Sequence, residues 1–186
     1  MKNVLFVISG PSGVGKGTVA KRLCELNDNI RLSISCTTRQ PRGSEIDGKD
    51  YFFITKEQFE NKIKNEELLE YSLHFENYYG TPKDYVERCL LKNDVMLEID
   101  VEGALAVKDA FPQAVLIMIT PPSIDELKNR LIGRKTESED KINLRLSRAS
   151  FELGLATKYD YTVVNDDIER VCDEIMQILN KEKDRL

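Results

Sequence analysis

The sequence has few of the residues on which several common kinds of site depend. Among 186 residues there is no tryptophan, and His74 is the single histidine. One histidine argues against histidine-based metal sites and against Ser-His-Asp triads. The four cysteines are far apart and form no Cys-x-x-Cys pair; they stand at positions 24, 36, 89 and 172. This spacing predicts free thiols in a reducing compartment.

Long apolar runs and an excess of positive charge are also missing. The apolar segment 4–8 is too short for a signal peptide or a membrane span. Lysine and arginine number 27 against 32 acidic residues, which gives a net charge of −5. This balance argues against binding of a nucleic acid polymer, so any phosphorylated ligand has to be met by a local cluster of cations. We therefore expect a cytoplasmic protein without membrane contacts.

The apolar pattern alternates between strands and helices along most of the chain. Continuous β-branched runs are typical of strands buried on both faces of a parallel sheet. The predicted strands cover residues 4–8, 31–35, 95–99, 114–119 and 161–164, and the predicted helices cover 18–26, about 124–131, about 141–155 and a C-terminal segment from 168. This alternation predicts a doubly wound α/β fold with about five parallel strands.

Residues 37–93 have a different texture, with aromatic residues, charges and glycines mixed. We predict a small mixed α/β insert here, on a core made of residues 1–36 and 94–186. Thr55 and Gln58 form a capping box for one helix of the insert. Thr81 followed by Pro82 predicts a second helix that reaches about Lys92.

The segment Gly10-Pro-Ser-Gly-Val-Gly-Lys16 matches the phosphate-binding pattern G-x-x-x-x-G-K, and it lies between a predicted strand and a predicted helix. Glycines let successive backbone N–H groups point into one concavity, and the helix N-terminus adds roughly half a positive charge. Lys16 adds a full charge for the β- and γ-phosphates. The residues predicted to bind a nucleoside triphosphate here are Gly10, Pro11, Ser12, Gly13, Val14, Gly15, Lys16, Gly17 and Thr18.

Gly17 stands where a serine or threonine is usual in this pattern. The missing hydroxyl argues against a direct bond from this position to Mg²⁺, and Thr18 is placed to offer a hydroxyl to a phosphate instead. Mg²⁺ remains the predicted cofactor, carried in with the triphosphate and held mostly by phosphates and water. A GTPase would need an Asn-Lys-x-Asp segment, and the nearest candidate, which begins at Asn165, lacks the lysine.

Arg39 and Arg42 follow the second predicted strand, on either side of Pro41, which holds the turn extended. Two guanidinium groups so placed can fork onto one phosphate. Solvated surface arginines are the default interpretation of such a pair. In an acidic protein with a phosphate loop, however, the anion site is favoured.

Further segments occur in a fixed order, and together with the phosphate loop they resemble the guanylate kinase family from Val4 to at least Asp167. The most specific are Thr-Thr-Arg-x-Pro-Arg and Asn-Tyr-Tyr-Gly. The segments are Thr37 to Arg42, Gly48 to Phe53, Leu69 to Tyr71, Asn77 to Thr81, Glu98 to Gly103, Pro121 to Ser123 and Val164 to Asp167.

The resemblance implies a GMP site in the insert. It implies that the GMP phosphate is held by Arg39, Arg42, Tyr51 and Tyr79, and that the guanine edge is read by Ser35, Glu70, Thr81 and Asp100. Gly80 is a further residue expected to bind GMP. Guanine presents two N–H donors beside an acceptor, so a carboxylate such as that of Glu70 rejects adenine. A surface carboxylate at Glu70 and core aromatic roles for the two tyrosines remain the alternatives. Asp100 is also a candidate for holding Mg²⁺ through water.

The resemblance further implies a helical lid over residues 131–145. Arg130, Arg134 and Arg145 match the arginines that close over the transferring phosphoryl group, and Asn165 is expected beside the adenine of ATP. Lys135 stands where the family commonly has glycine, which bears on the flexibility of the lid. Arg148 matches no family position, and we interpret it as a solvated residue.

These patterns predict an ATP:GMP phosphotransferase with in-line transfer and no covalent enzyme intermediate. The predicted catalytic residues are Lys16, Arg39, Arg134 and Arg145. The predicted partners are ATP and GMP, with dGMP as a further candidate, and the chain is expected to be a monomer or a homodimer. Another nucleoside monophosphate kinase is an alternative, because adenylate kinases share the Gly-Lys-Gly-Thr ending of the loop. A non-catalytic binding module of the same family is a second alternative, although such modules tend to have degraded loops.

Overall fold

The computed structural model describes residues 2–74, 76–133 and 139–185, and it places the described strands in two sheets. The first sheet has five parallel strands in the order β2-β7-β1-β8-β9. These strands are β1 (Leu5–Ser9), β2 (Ile30–Leu32), β7 (Asp94–Glu98), β8 (Val115–Thr120) and β9 (Tyr161–Val164). The predicted doubly wound sheet is confirmed.

Helices cover both faces of this sheet, which explains why the middle residues of its central strands are apolar. On one face α1 and α7 pack against β1 and β8, and on the other face α3 and α4 pack against β7 and β1. The helices are α1 (Lys16–Leu26), α3 (Lys83–Leu90), α4 (Val101–Ala110), α5 (Ile124–Gly133), α6 (Glu139–Gly154) and α7 (Ile168–Lys183). None of the helices described here has the length and apolar character needed to span a membrane.

The second sheet has four strands in the order β4-β3-β6-β5. It consists of β3 (Cys36–Thr37), β4 (Phe52–Phe53), β5 (Leu68–His74) and β6 (Asn77–Pro82), with α2 (Lys56–Lys64) between β4 and β5. Thr55 and Gln58 form the predicted capping box at the start of α2. Strand β5 packs against α4, so this sheet lies beside the core sheet.

Two predicted boundaries were wrong for physical reasons. The predicted strand 31–35 is divided, because β2 ends at Leu32 and Cys36 already belongs to the second sheet. Pro82 is the N-cap of α3 and not its first helical residue, because Thr81 and Pro82 still pair with β5. Pairing with a neighbouring strand has delayed the start of this helix, which ends at Leu90.

Candidate active site

The phosphate loop joins the central strand β1 to α1, at the carboxyl edge of the core sheet. Gly10, Gly13 and Gly15 have φ values of 141°, 89° and 99°, in the region that favours glycine. A Cβ atom on Gly10 would lie 2.2 Å from the carbonyl oxygen of Ile119 on the neighbouring strand β8. The glycines therefore allow the loop to turn tightly against the sheet and to present its backbone at the top of β1.

The side chain of Lys16 folds back over this loop. Its Nζ donates to the carbonyl oxygen of Gly10 at 2.6 Å and to that of Pro11 at 3.3 Å. These contacts hold a positive charge above the N-terminus of α1, where a phosphate would be favoured by both the lysine and the helix dipole.

A cavity of about 860 Å³ opens above the loop, and it brings together three parts of the chain. The loop forms its floor, the end of β7 and the start of α4 form one wall, and α6 forms the other. The lining residues are Gly10, Ser12, Gly13, Gly15, Lys16, Gly17, Thr18, His74, Glu98, Asp100, Leu144, Arg145, Arg148 and Glu152.

Arg130 and Asn165 contact the phosphate loop from its other side. Asn165 is buried, and its Nδ2 donates to the carbonyl oxygen of Val14 at 2.7 Å. Arg130 donates to the carbonyl oxygens of Asn165 at 3.0 Å and Val14 at 3.5 Å. Both side chains thus brace the loop and lie where the sequence predicts the donor nucleotide.

Helix α6 reaches the loop through Arg145, whose Nη1 donates to Ser12 Oγ at 2.6 Å. This predicted lid arginine therefore contacts the phosphate loop. Arg134 and Lys135, on which the other predictions for the lid depend, lie outside the described residues.

A second, smaller cavity of about 150 Å³ lies between the second sheet and the start of α4. It brings together most of the residues predicted to bind GMP. Its lining residues are Ser35, Tyr51, Glu70, Ser72, His74, Tyr79, Gly80, Glu98, Ile99 and Asp100. His74, Glu98 and Asp100 line both cavities, so the two are neighbours that meet at these residues.

Glu70 is the buried carboxylate of the smaller cavity, with 7% of its surface exposed. Thr81 Oγ1 donates to Glu70 Oε1 at 2.6 Å. Burial raises the pKa of Glu70 to about 7, the charge of Asp100 adds to the rise, and the hydrogen bonds from Thr81 oppose it. A carboxylate so poorly solvated is well placed to accept the two adjacent N–H groups of a guanine.

Arg39 lies beside this cavity with its guanidinium group paired to a carboxylate that sequence reasoning missed. Its Nη1 and Nη2 each lie 2.9 Å from an oxygen of Glu45, and its Cζ lies 5.4 Å from the ring centroid of Tyr51. The hydrogen bond to Glu45 is the main cause of a raised pKa of Arg39, and Tyr79 contributes a second bond. Arg42 is exposed, and it does not belong to the described residues that line either cavity. The sequence signal that could have indicated this ion pair is the carboxylate six positions after Arg39.

Glu98 and His74 are further site residues without a predicted role. A Cβ atom on Gly17 would lie 3.5 Å from Glu98 Oε1, so the carboxylate stands beside the place where a loop hydroxyl is usual. Burial raises the pKa of Glu98, and the charge of Lys16 opposes the rise. His74 Nε2 lies 3.6 Å from Asp100 Oδ2. The position of Glu98 at the end of a buried strand could have indicated a site residue.

Arg148, which we interpreted as solvated, lies one turn after Arg145 and lines the larger cavity. Its Nε donates to Glu152 Oε1 at 2.9 Å, and its side chain is 54% exposed. Arg148 is therefore partly exposed, as a solvated residue would be, but it also belongs to the lining of this cavity.

Comparisons with known proteins agree on one family. The family model described as guanylate kinase matches residues 2–182. A guanylate kinase of Oceanobacillus iheyensis is 51% identical over 182 residues, which cover 97% of this chain and 88% of the relative. A guanylate kinase of Bacillus anthracis is 53% identical over 180 residues, which cover 96% of this chain and 88% of the relative.

Solved structures give the same result at the level of the fold. The crystal structure of guanylate kinase from Anaplasma phagocytophilum has a TM-score of 0.74 and 37% identity, and the match covers 97% of this chain and 86% of that one. A shikimate kinase from Bacteroides thetaiotaomicron shares the fold with a TM-score of 0.53 at 14% identity. The resemblance seen in the sequence motifs is confirmed, and the chain belongs to the guanylate kinase family.

Proposed function

We propose that the chain transfers the γ-phosphoryl group of ATP to GMP, giving ADP and GDP. The observation that carries this proposal is the junction between the two cavities at His74, Glu98 and Asp100. A triphosphate in the loop and a nucleotide beside Glu70 would meet there with their phosphates adjacent. Family membership supports the same pair of substrates.

The donor half of the site is the phosphate loop with its two braces. Backbone N–H groups of residues 10–18 and the ammonium of Lys16 bind the phosphates of ATP. Arg130 and Asn165 contact the loop at Val14, which supports a role for Asn165 beside the adenine of ATP and for Arg130 near its transferring phosphoryl group.

The acceptor half is the cavity beneath the second sheet. Glu70, held by Thr81, accepts the N–H groups of guanine, and Ser35 and Asp100 complete the polar lining. Arg39, Arg42, Tyr51 and Tyr79 are the proposed ligands of the GMP phosphate. Because Arg39 is paired with Glu45, phosphate binding would exchange one anionic partner for another.

The proposed reaction is a direct in-line displacement. An oxygen of the GMP phosphate attacks the γ-phosphorus, the new O–P bond forms, and the bridging oxygen leaves with ADP. The attacking oxygen is already deprotonated at neutral pH, so no general base is needed. Lys16, Arg39, Arg134 and Arg145 supply charge stabilisation, for which one arginine can contribute on the order of 10³-fold in rate.

The residues at the junction fit a magnesium ion that arrives with ATP. Mg²⁺ prefers oxygen ligands and keeps several waters, and the carboxylates of Glu98 and Asp100 face the cavity beside Gly17 and Thr18. We propose that these two carboxylates hold Mg²⁺ through water. When bound, the ion neutralises charge on the β- and γ-phosphate oxygens.

We also propose that residues 37–93 act as the acceptor lobe and 131–145 as the lid, on a core of 1–36 and 94–186. Closure of both over the junction would exclude water and so limit hydrolysis of ATP. The four free cysteines support a reducing compartment such as the cytoplasm. A monomer or a homodimer fits this proposal equally.

A coupled assay with different acceptors tests the function. With ATP and Mg²⁺ present, we expect GMP to give the highest kcat/KM among GMP, dGMP, AMP, UMP and dTMP. A preference for AMP or a pyrimidine nucleotide would establish a different nucleoside monophosphate kinase. Absence of turnover with every acceptor, despite binding of GMP, would establish a binding module.

A further inference from the structure

We propose that Arg148 is a further catalytic residue. It lies on the acceptor side of the cavity and binds the phosphoryl group while that group is transferred from ATP to GMP. The inference rests on the proposed function and extends it to a residue that the family motifs do not include. Its basis is the arrangement of α6 around the larger cavity.

Arg148 lies on the face of α6 that looks toward the phosphate loop. Residues three and four apart share a helix face, and the cavity is lined by the α6 residues Leu144, Arg145, Arg148 and Glu152, which have this spacing. Arg145 fixes the direction of that face, because it contacts Ser12 in the loop. Arg148 therefore points its side chain into the space that the phosphates would occupy.

A nearly buried carboxylate holds the side chain of Arg148 in place. Glu152 is 9% exposed, and its Oε1 accepts from Arg148 Nε at 2.9 Å. This hydrogen bond is the main cause of a raised pKa of Arg148. Because Glu152 binds Nε, it orients the guanidinium group and leaves the terminal nitrogens for other partners. Guanidinium groups anchored in this way are suited to bind phosphate oxygens.

Arg148 has an acidic neighbour on α4, the helix that begins beside the smaller cavity, and this favours a role on the acceptor side. Arg148 Nη2 lies 4.0 Å from Glu102 Oε1, at the start of α4, whereas Arg145 contacts the loop that holds the donor. Asp100, at the N-cap of α4, lines both cavities. The two arginines are thus one helical turn apart, Arg145 beside the phosphate loop and Arg148 toward the start of α4.

Local charge gives the reason for an additional cation. The larger cavity contains the carboxylates Glu98, Asp100 and Glu152, while ATP and GMP together bring several negative charges into it. A cation close to the transferring group would lower the energy of the transition state more than that of either bound substrate.

The test compares the variants R148Q and R148K with two controls. R170Q removes an arginine of α7 that also has acidic partners four residues away, Asp166 and Glu174, and lies outside both cavities. E152Q neutralises the acidic partner of Arg148 while keeping the guanidinium group. We expect R148Q to lower kcat with ATP and GMP by about 10- to 100-fold, below the roughly 10³-fold of a dedicated arginine finger.

Several outcomes separate this inference from its alternatives. R148K should recover part of the loss, E152Q should lose less than R148Q, and R170Q should stay within about twofold of wild type. A kcat for R148Q within twofold of wild type would overturn the inference. An equal loss in R148Q and E152Q would overturn it too, because the pair would then be structural. If the wild type does not phosphorylate GMP, the proposed function fails instead.

Binding of a bisubstrate compound gives a second measurement, with adenosine and guanosine joined by five phosphates as the probe. We expect R148Q to weaken its binding by at least about 10-fold, with no more than a twofold change for ATP alone. Equal binding of the compound by wild type and R148Q would contradict the inference. If R148Q does not fold at 25 °C, the double variant R148Q/E152Q leaves no buried unpaired carboxylate and permits the same measurements.

Discussion

At the scale of single residues, the proposed acceptor site contains a carboxylate in an unfavourable environment. Glu70 is almost fully buried, and its stabilising hydrogen bonds come from Thr81. Burial raises its pKa to about 7 because the ionised form loses more solvation than Thr81 restores. Guanine would supply two further N–H donors, so ligand binding is expected to favour the ionised form.

The raised pKa predicts a dependence of GMP use on pH. Below pH 7 Glu70 is mostly protonated in the free protein, so kcat/KM for GMP should fall by up to about tenfold per pH unit as the pH decreases. Glu70→Gln should lower kcat/KM for GMP at pH 8 by about 10²-fold or more and should flatten the profile near pH 7. The titration of the GMP phosphate is common to both proteins, so the difference between the two profiles reports on Glu70. Identical profiles would show that Glu70 does not contact the base.

The raised pKa of Glu70 also predicts that the protein becomes less stable as the pH rises. A carboxyl group whose folded-state pKa exceeds its ordinary value of 4.5 binds more protons when folded, so the free energy of unfolding should decrease as pH rises from about 4.5 to 7. Glu70→Gln removes this penalty and should raise the free energy of unfolding at pH 8 by about 1–3 kcal/mol. Urea denaturation of the wild type and of Glu70→Gln, at pH 5 and pH 8, measures this difference in the free energy of unfolding. A variant less stable than wild type at pH 8 would contradict the assignment.

Substitution of Lys16 tests the proposed donor site in the phosphate loop. Lys16→Ala should lower kcat by at least about 10²- to 10³-fold, because the lysine charge acts on the transferring phosphoryl group in a partly enclosed site. Its melting temperature should stay close to that of wild type. Lys21→Ala, on the exposed side of α1, is the matched control and should keep wild-type turnover. Turnover of Lys16→Ala near the wild-type rate would contradict the phosphate-loop assignment.

At the scale of elements, the C-terminal helix is attached to the core sheet through a buried acid. Asp94, at the start of β7, is fully buried, and its Oδ1 accepts from the backbone N–H of Val4. Its Oδ2 accepts from Asn29 Nδ2 at 3.0 Å and lies 2.5 Å from Lys183 Nζ. Through these contacts the last turn of α7 is joined to the start of β7 and to the residues just before β1 and β2.

This anchor predicts a measurable loss of stability on removal of the lysine. Lys183→Ala should lower the free energy of unfolding by about 2–4 kcal/mol, because Asp94 would remain buried without its cationic partner. The melting temperature should fall by roughly 5–15 °C for a chain of this size. Lys128→Ala, on an exposed face of α5, is the control and should change it by less than about 2 °C. An equal effect of both changes would show that the buried pair contributes nothing specific.

At the scale of the whole molecule, the proposed core, acceptor lobe and lid would surround one junction, so both nucleotides should stabilise the fold together. A ligand present at 100 times its Kd adds about 2.7 kcal/mol to the free energy of unfolding. The five-phosphate bisubstrate compound should therefore raise the melting temperature by about 5–10 °C. At equal concentration, ATP or GMP alone should raise it less, since each contacts only one half of the site. A shift no larger than that with ATP alone would argue against a shared junction.

Much of this molecule could be predicted from local sequence. The buried strands of the core, the phosphate loop and the capping box at Thr55 all depend on residues close together in the chain, so their patterns are readable without tertiary contacts. The specific motifs at Arg39, Glu70 and Tyr79 identified the family before any fold was known. Boundaries were less accurate where strand pairing extended β6 through Pro82.

The fold class, the family and most of the proposed site residues could be inferred without any coordinates. Only the tertiary structure decided that Glu45 pairs with Arg39, that Glu98 stands beside Gly17, and that Arg148 faces the phosphate loop. The physical reason is distance along the chain. Local periodicity records which residues are buried, whereas the partner of a charged side chain depends on how sheets and helices pack, and this packing brings together residues many positions apart.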